Sequence, residues 1–210
     1  MDTTHYRKRT AQDWTRSLVR HDFDTFGTLK FNNGRSVGQQ TATKLVGAYW
    51  HKVDRMFFGK AADKGLGVER WCFTEYGADG NNLHVHFVAQ APIQVHCFCT
   101  ILNALWVNFN RSTADYSNNW ITPITHKEKA IAYTVKGTRF QNIDAICQLA
   151  SHTNVSGTIN TGLDTQAQNQ RINNRLTYQQ LEKASEQLQR HILETEKRQA
   201  RRARLAQCGR

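Results

Sequence analysis

Proline is scarce, with two residues in 210, so proline-rich linkers and repeats are excluded. No apolar run approaches the roughly 20 residues that cross a bilayer, which excludes a transmembrane helix. The N-terminal stretch MDTTHYRKRTAQDW is followed by no apolar segment, so no secretory leader is expected. The five cysteines (Cys72, Cys97, Cys99, Cys147 and Cys208) are odd in number and contain no CxxC pair. That excludes a disulfide framework and fits free thiols in a reducing, cytoplasmic compartment. Cys97 and Cys99 form a lone CxC, a poor metal signature. No GxxxxGK[ST] occurs, so a fused P-loop helicase of the usual kind is not expected. No pair of H-x-[ST] motifs occurs either, which excludes a two-histidine phosphoesterase acting on RNA ends. Internal repeats are absent.

Negative charge is also in short supply. Lys and Arg number 28 against 17 Asp and Glu, for a formal net charge of +11 and a pI near 9.7. Such a chain attracts polyanions, and nucleic acid is the commonest in a cell interior. The hydrophobic share of 39% is enough for a real core, and the length suits one domain with an appendage.

Periodicity supplies the elements. A short helix is expected around Trp14 and Leu18. TFGTLKFNNG (25–34) alternates imperfectly and ends on a turn signal, so it reads as the first strand. Leu45, Tyr49, Val53 and Met56 recur at helical spacing over 41–58. ERWCFTEYG (69–77) and LHVHFVAQ (83–90) read as two strands of a hairpin around GADGNN. Val95, Phe98, Leu102, Leu105 and Phe109 mark a second amphipathic helix. NWITPI (119–124) is a short strand, and HKEKAIAYTVKG (126–137) a helix closed by Gly137. The order β-α-β-β-α-β predicts an α+β fold, an antiparallel sheet with helices packed on it. Residues 1–150 are expected to form that domain. The polar stretch 151–175 reads as a linker or irregular segment. Residues 176–210 read as a long basic helix with a narrow stripe of Leu181, Ala184, Leu188 and Ile192. From 171 onward there are ten Lys or Arg against four Glu. That helix could dock on the domain, form a dimer contact or lie on DNA.

The chemistry concentrates in the hairpin. His84 and His86 point to one face of their strand, about 7 Å apart. Glu75 lies on the preceding strand, close enough in sequence to share that face. Two imidazoles and a carboxylate form a three-ligand site with positions open for water and substrate, suited to Mg²⁺ or Mn²⁺. Tyr133 and Lys136 lie three apart on a predicted helix and share a face. A tyrosine can attack a phosphodiester, and a neighbouring lysine can favour the phenolate.

TFGTLKF (25–31), LHVHFV (83–88) and AYTVKG (132–137), in that order, resemble the three motifs of the HUH endonuclease superfamily, in particular its rolling-circle replication initiators. The resemblance spans roughly residues 20–140, and its histidine-hydrophobic-histidine motif is the most specific part. It implies that His84, His86 and Glu75 hold a divalent ion. Tyr133 would be the nucleophile and Lys136 its helper. Thr28 would shape the site floor, and Thr28, Lys30 and Arg139 would contact DNA. No second tyrosine lies one turn from Tyr133, so the resemblance is to the single-tyrosine class. The partners implied are single-stranded or origin-hairpin DNA, a host helicase and polymerase, and a second copy of the chain; no membrane is involved. A transposase or relaxase shares the same chemistry. A non-catalytic single-strand-binding module, with incidental histidines, is the contrasting reading. Trp50, Trp71, Trp106 and Trp120 are either base-stacking platforms or core residues.

Overall fold

A computed structural model of the chain describes residues 3–77, 79–140, 145–154 and 164–208. The expected α+β architecture is present. Helix α1 (Thr3–Leu18) precedes strand β1 (Thr25–Lys30) and helix α2 (Gln39–Phe58). Strands β2 (Arg70–Glu75) and β3 (His84–Ala89) form the hairpin. Helix α3 (Val95–Val107), strand β4 (Trp120–Pro123) and helices α4 (Lys127–Thr134) and α5 (Lys136–Phe140) follow. Helices α6 (Thr165–Asn173) and α7 (Tyr178–Cys208) end the described chain. The four strands form one antiparallel sheet in the order β2-β3-β1-β4.

The hairpin strand β3 is central, and all six of its residues are buried. A strand covered on both faces reads as a continuous apolar run, which is why His84 and His86 stand out in it. On one face Leu29, Cys72, Val85 and Phe87 pack against Tyr49, Trp50 and Met56 of α2 and Phe98, Leu102 and Trp106 of α3. On the other, Phe73 and Val88 pack against Ala11 and Leu18 of α1 and Ile131 of α4, with Phe26, Trp14 and Trp71 partly buried beside them. Full burial of each such side chain contributes roughly 1.5–3 kcal/mol. The imperfect alternation of the first strand has a packing cause. A β-carbon on Gly27 would fall 2.1 Å from the Phe87 ring, which occupies that place across the sheet.

Three expectations need correction. The polar stretch 151–175 is not all linker. His152 bridges to Arg70 on the outer side of β2, and α6 lies on α2 with Ile172 buried. There the Arg171 guanidinium donates to the carbonyls of Met56 and Phe57, satisfying the end of α2. Residues 155–163 of that stretch lie outside the described residues. Second, the domain does not end at residue 150: Leu176, just before α7, and Ala184 and Leu188 of α7 belong to the main core, which is the docking reading of that helix. Third, Gly137 does not close the helix. The turn comes at Val135, and the chain re-enters helix as α5. Glycine serves close approach instead, since a β-carbon there would sit 2.7 Å from the Thr74 carbonyl oxygen of β2. No described helix is long and apolar enough to cross a membrane.

Candidate metal centre and nucleophile

Register builds the site. Glu75 on β2 is directly opposite His84 on β3, and His86 is directly opposite Thr28 on β1. Cross-strand partners share a face, so the three side chains and Thr28 all project to the α1–α4 side of the sheet. The Glu75 carboxylate Oε2 lies 2.6 Å from His86 Nε2 and 3.4 Å from His84 Nε2. The two Nε2 atoms are 3.1 Å apart. Among the described residues, Glu75, His84 and His86 are the group of metal-ligating side chains that converges this way, with one ligand atom each, all within 4.8 Å of one another. Cys97 and Cys99 do not converge: the first is exposed on α3 and the second is buried.

The outer atoms of the imidazoles are held as well. His84 Nδ1 lies 2.9 Å from the Asn82 carbonyl oxygen. A carbonyl only accepts, so neutral His84 carries its proton on Nδ1 and turns the Nε2 lone pair toward the cluster. His86 Nδ1 lies 2.9 Å from Thr28 Oγ1. That hydroxyl can donate or accept, so it tolerates either tautomer of His86, including the one that presents an Nε2 lone pair. Two imidazole nitrogens and a carboxylate oxygen converging in this way fit a divalent cation. Thr28 is therefore a support for His86, buried beneath it in the floor of the site, with its hydroxyl engaged by the imidazole. Thr28→Val should weaken metal binding about 10–100-fold while the fold is kept, measured by calorimetric titration of the metal-free protein.

The electrostatics are lopsided. Burial by itself lifts the Glu75 carboxyl. Where the two rings are protonated, hydrogen bonds from His84 and His86 and the charge of the imidazoliums outweigh it and hold the group well below the usual carboxylate range. Burial pushes the His86 imidazole down to about 4 from 6.5, against the opposing pull of Glu75. His86 thus folds neutral, the form that binds metal. As pH falls below 6.5 the unfolded chain takes up a proton that the folded chain refuses, until about pH 4. The metal-free protein should lose stability across that window at ~1.4 kcal/mol per pH unit for this group. Glu75 adds a further loss below its ordinary value of 4.5, because its folded form holds the proton off. Urea unfolding at a series of pH values reads both.

Tyr133 stands over the cluster. Its ring centroid is 4.9 Å from that of His86, and Phe26 meets it edge-on at 5.8 Å. The residue is 48% exposed, so its phenol is reachable from solvent. Lys136 Nζ sits 3.7 Å from the Tyr133 ring centroid and 3.2 Å from Glu75 Oε2. One ammonium thus joins the tyrosine to the carboxylate, although the two residues fall on successive helices. The close approach at Gly137 is what brings Lys136 down to the sheet. Lys30 is part-exposed on the same sheet face, opposite His84. Arg139 belongs to α5, but its side chain lies outside the described residues.

Of the four candidate stacking tryptophans, Trp50 and Trp106 are core residues with no exposure. Trp71 is covered by Trp14 at 5.1 Å. Trp120 stacks on His191 of α7 at 4.1 Å, a contact with no sequence signal. No family model matches the chain, and neither comparison with curated proteins nor comparison with solved structures returns a match.

Proposed function

We propose that the protein is a metal-dependent enzyme of the HUH type that cuts and rejoins single-stranded DNA through Tyr133, as an initiator of rolling-circle replication. The observation that carries this reading is the exposed Tyr133 ring 4.9 Å from His86, beside a converging group of Glu75, His84 and His86. A purely DNA-binding module has no need for a buried carboxylate and two imidazoles turned toward one another beneath a reachable phenol.

A divalent ion such as Mg²⁺ or Mn²⁺, held by Glu75, His84 and His86, would supply positive charge to a non-bridging oxygen of the scissile phosphate. Tyr133 Oη attacks phosphorus in line with the leaving 3′-oxygen. The O–P bond to tyrosine forms as the P–O3′ bond breaks. The phenolic proton passes to solvent, and the 3′-oxygen gains a proton as it leaves. The product is a 5′-phosphotyrosine and a free 3′-hydroxyl that can prime synthesis. One phosphate ester replaces another, so the same residues can later run the step backwards and join ends. Lys136, over the ring and against Glu75, places a cation where it balances phosphate charge. Thr28 holds His86, and Lys30 offers a cation on the open side of the same face. A host helicase would separate the strands.

The experiment is a covalent-adduct assay. Protein, Mn²⁺ and a labelled single-stranded origin oligonucleotide should yield a labelled protein band on a denaturing gel, and prior chelation should remove it. Salt-sensitive DNA binding with no adduct under any divalent ion would leave only the binding module.

A further inference from the structure

Helix α7 is two different surfaces in one rod. Its first half packs on α3 and β4 through Leu181, Ala184, Leu188 and His191. From Glu196 to Leu205 every residue is exposed. This outer part carries Lys197, Arg198, Arg201, Arg202 and Arg204, and no carboxylate follows Glu196. Lys197, Arg201 and Arg204 stand at i, i+4 and i+7 and share one face over about 10 Å. Lys183 and Arg190, at the same seven-residue step, extend that face back along the docked half, and both are exposed.

We propose that the outer half of α7 is a phosphate-binding arm for duplex DNA next to the strand being cut. The inference rests on the DNA reading given above and adds a surface and a partner to it. Three observations carry it. The arm has little to offer another helix: the line of the packed stripe continues as Thr195, Gln199 and Arg202, and Leu205 is the sole large apolar side chain from Glu196 to Leu205. Beyond Glu196 its charged residues are all cations, of which Arg198 also pairs with Glu194 at 3.6 Å, and a duplex presents a phosphate charge about every 1.7 Å along its axis, a straight polyanion for a straight polycation. Its root is tied to the candidate site through one residue pair. His191 stacks at 4.1 Å on Trp120, which lies directly across the sheet from Thr28, the residue that touches His86. Lys197 follows His191 by six residues, about 9 Å along the axis. The nicking site takes a flexible single strand, while the arm meets the stiff duplex from which that strand emerges.

The test compares the full chain with a variant in which Lys197, Arg198, Arg201, Arg202 and Arg204 are all changed to Gln, which keeps helix propensity. Affinity is measured over a range of salt for a labelled duplex and for a short single strand. The duplex slope of log affinity against log salt should fall by ~3–4 units in the variant. The single-strand slope, and the adduct yield on a short single-stranded oligonucleotide, should stay as in the parent. An unchanged duplex slope overturns the proposal. So does an equal loss on both DNAs, which is what a mere drop in net charge produces. Preferential capture of the parent protein by anionic phosphatidylglycerol vesicles over duplex also overturns it, making the arm a membrane contact. If circular dichroism shows the fivefold variant losing helix, R201Q/R204Q decides instead, with an expected slope loss of ~2 units. Failure of the parent to form any adduct removes the nuclease reading alone, since the duplex titration still reads the arm.

Discussion

Tyr133→Phe should abolish the covalent protein–DNA adduct and leave the fold untouched. The phenylalanine ring keeps the contacts that place the residue: His86 at 4.9 Å, Phe26 at 5.8 Å and the Lys136 ammonium at 3.7 Å. Only the oxygen is lost, from a side chain that already faces solvent. Without a nucleophilic atom the rate of strand cutting should fall by at least ~1,000-fold. Single-turnover cleavage of a labelled oligonucleotide measures the rate, and thermal unfolding checks the fold. Persistence of a covalent band in the variant would assign the nucleophile elsewhere and remove Tyr133 from the mechanism.

His86→Ala should have the second largest effect, on metal and on stability together. His86 is 1% exposed and touches Glu75, His84 and Thr28 at once. Its removal leaves the carboxylate with His84 and Lys136 alone and opens a cavity under Tyr133. Metal affinity should drop by more than ~100-fold, beyond the loss expected for a supporting residue such as Thr28. Stability should fall by about 2–4 kcal/mol from the lost packing and the orphaned hydroxyl and carboxylate. His86→Gln keeps most of the volume and separates the two effects: it should restore much of the stability and little of the metal binding. Calorimetry with Mn²⁺ on both variants, beside urea unfolding, gives the comparison. Parent-like metal affinity in folded His86→Gln would show that the ion is not held by this imidazole.

Much of the site could be read along the chain. Two histidines at period two in an otherwise apolar strand, and a carboxylate a hairpin away, are local statements. A hairpin converts them into one face by geometry alone, which is why Glu75, His84 and His86 meet as expected. Tyr133 and Lys136 were legible for a similar reason, being three residues apart. Yet the helix they were assigned to breaks between them at Val135, and the pair survives because α5 is drawn onto β2 at Gly137. A glycine at that point reads as a helix stop from sequence. Its real cause is the Thr74 carbonyl, 63 residues earlier and invisible to any local pattern. The part played by Thr28 also needed the β1–β3 register, because nothing near it in sequence announces a histidine opposite.

The sequence by itself determined the order of elements from the first strand to the helix of Tyr133, the antiparallel hairpin and the residue types of the site, because alternation, helical spacing and turn chemistry act over a few residues. Tertiary structure alone decided the strand order β2-β3-β1-β4, the packing of α6 and the first half of α7 into the core, and the stacking of His191 on Trp120. Those follow from which apolar faces remain uncovered once the sheet has formed, a choice made between segments far apart in the chain, where side-chain volume and shape, not local period, set the outcome.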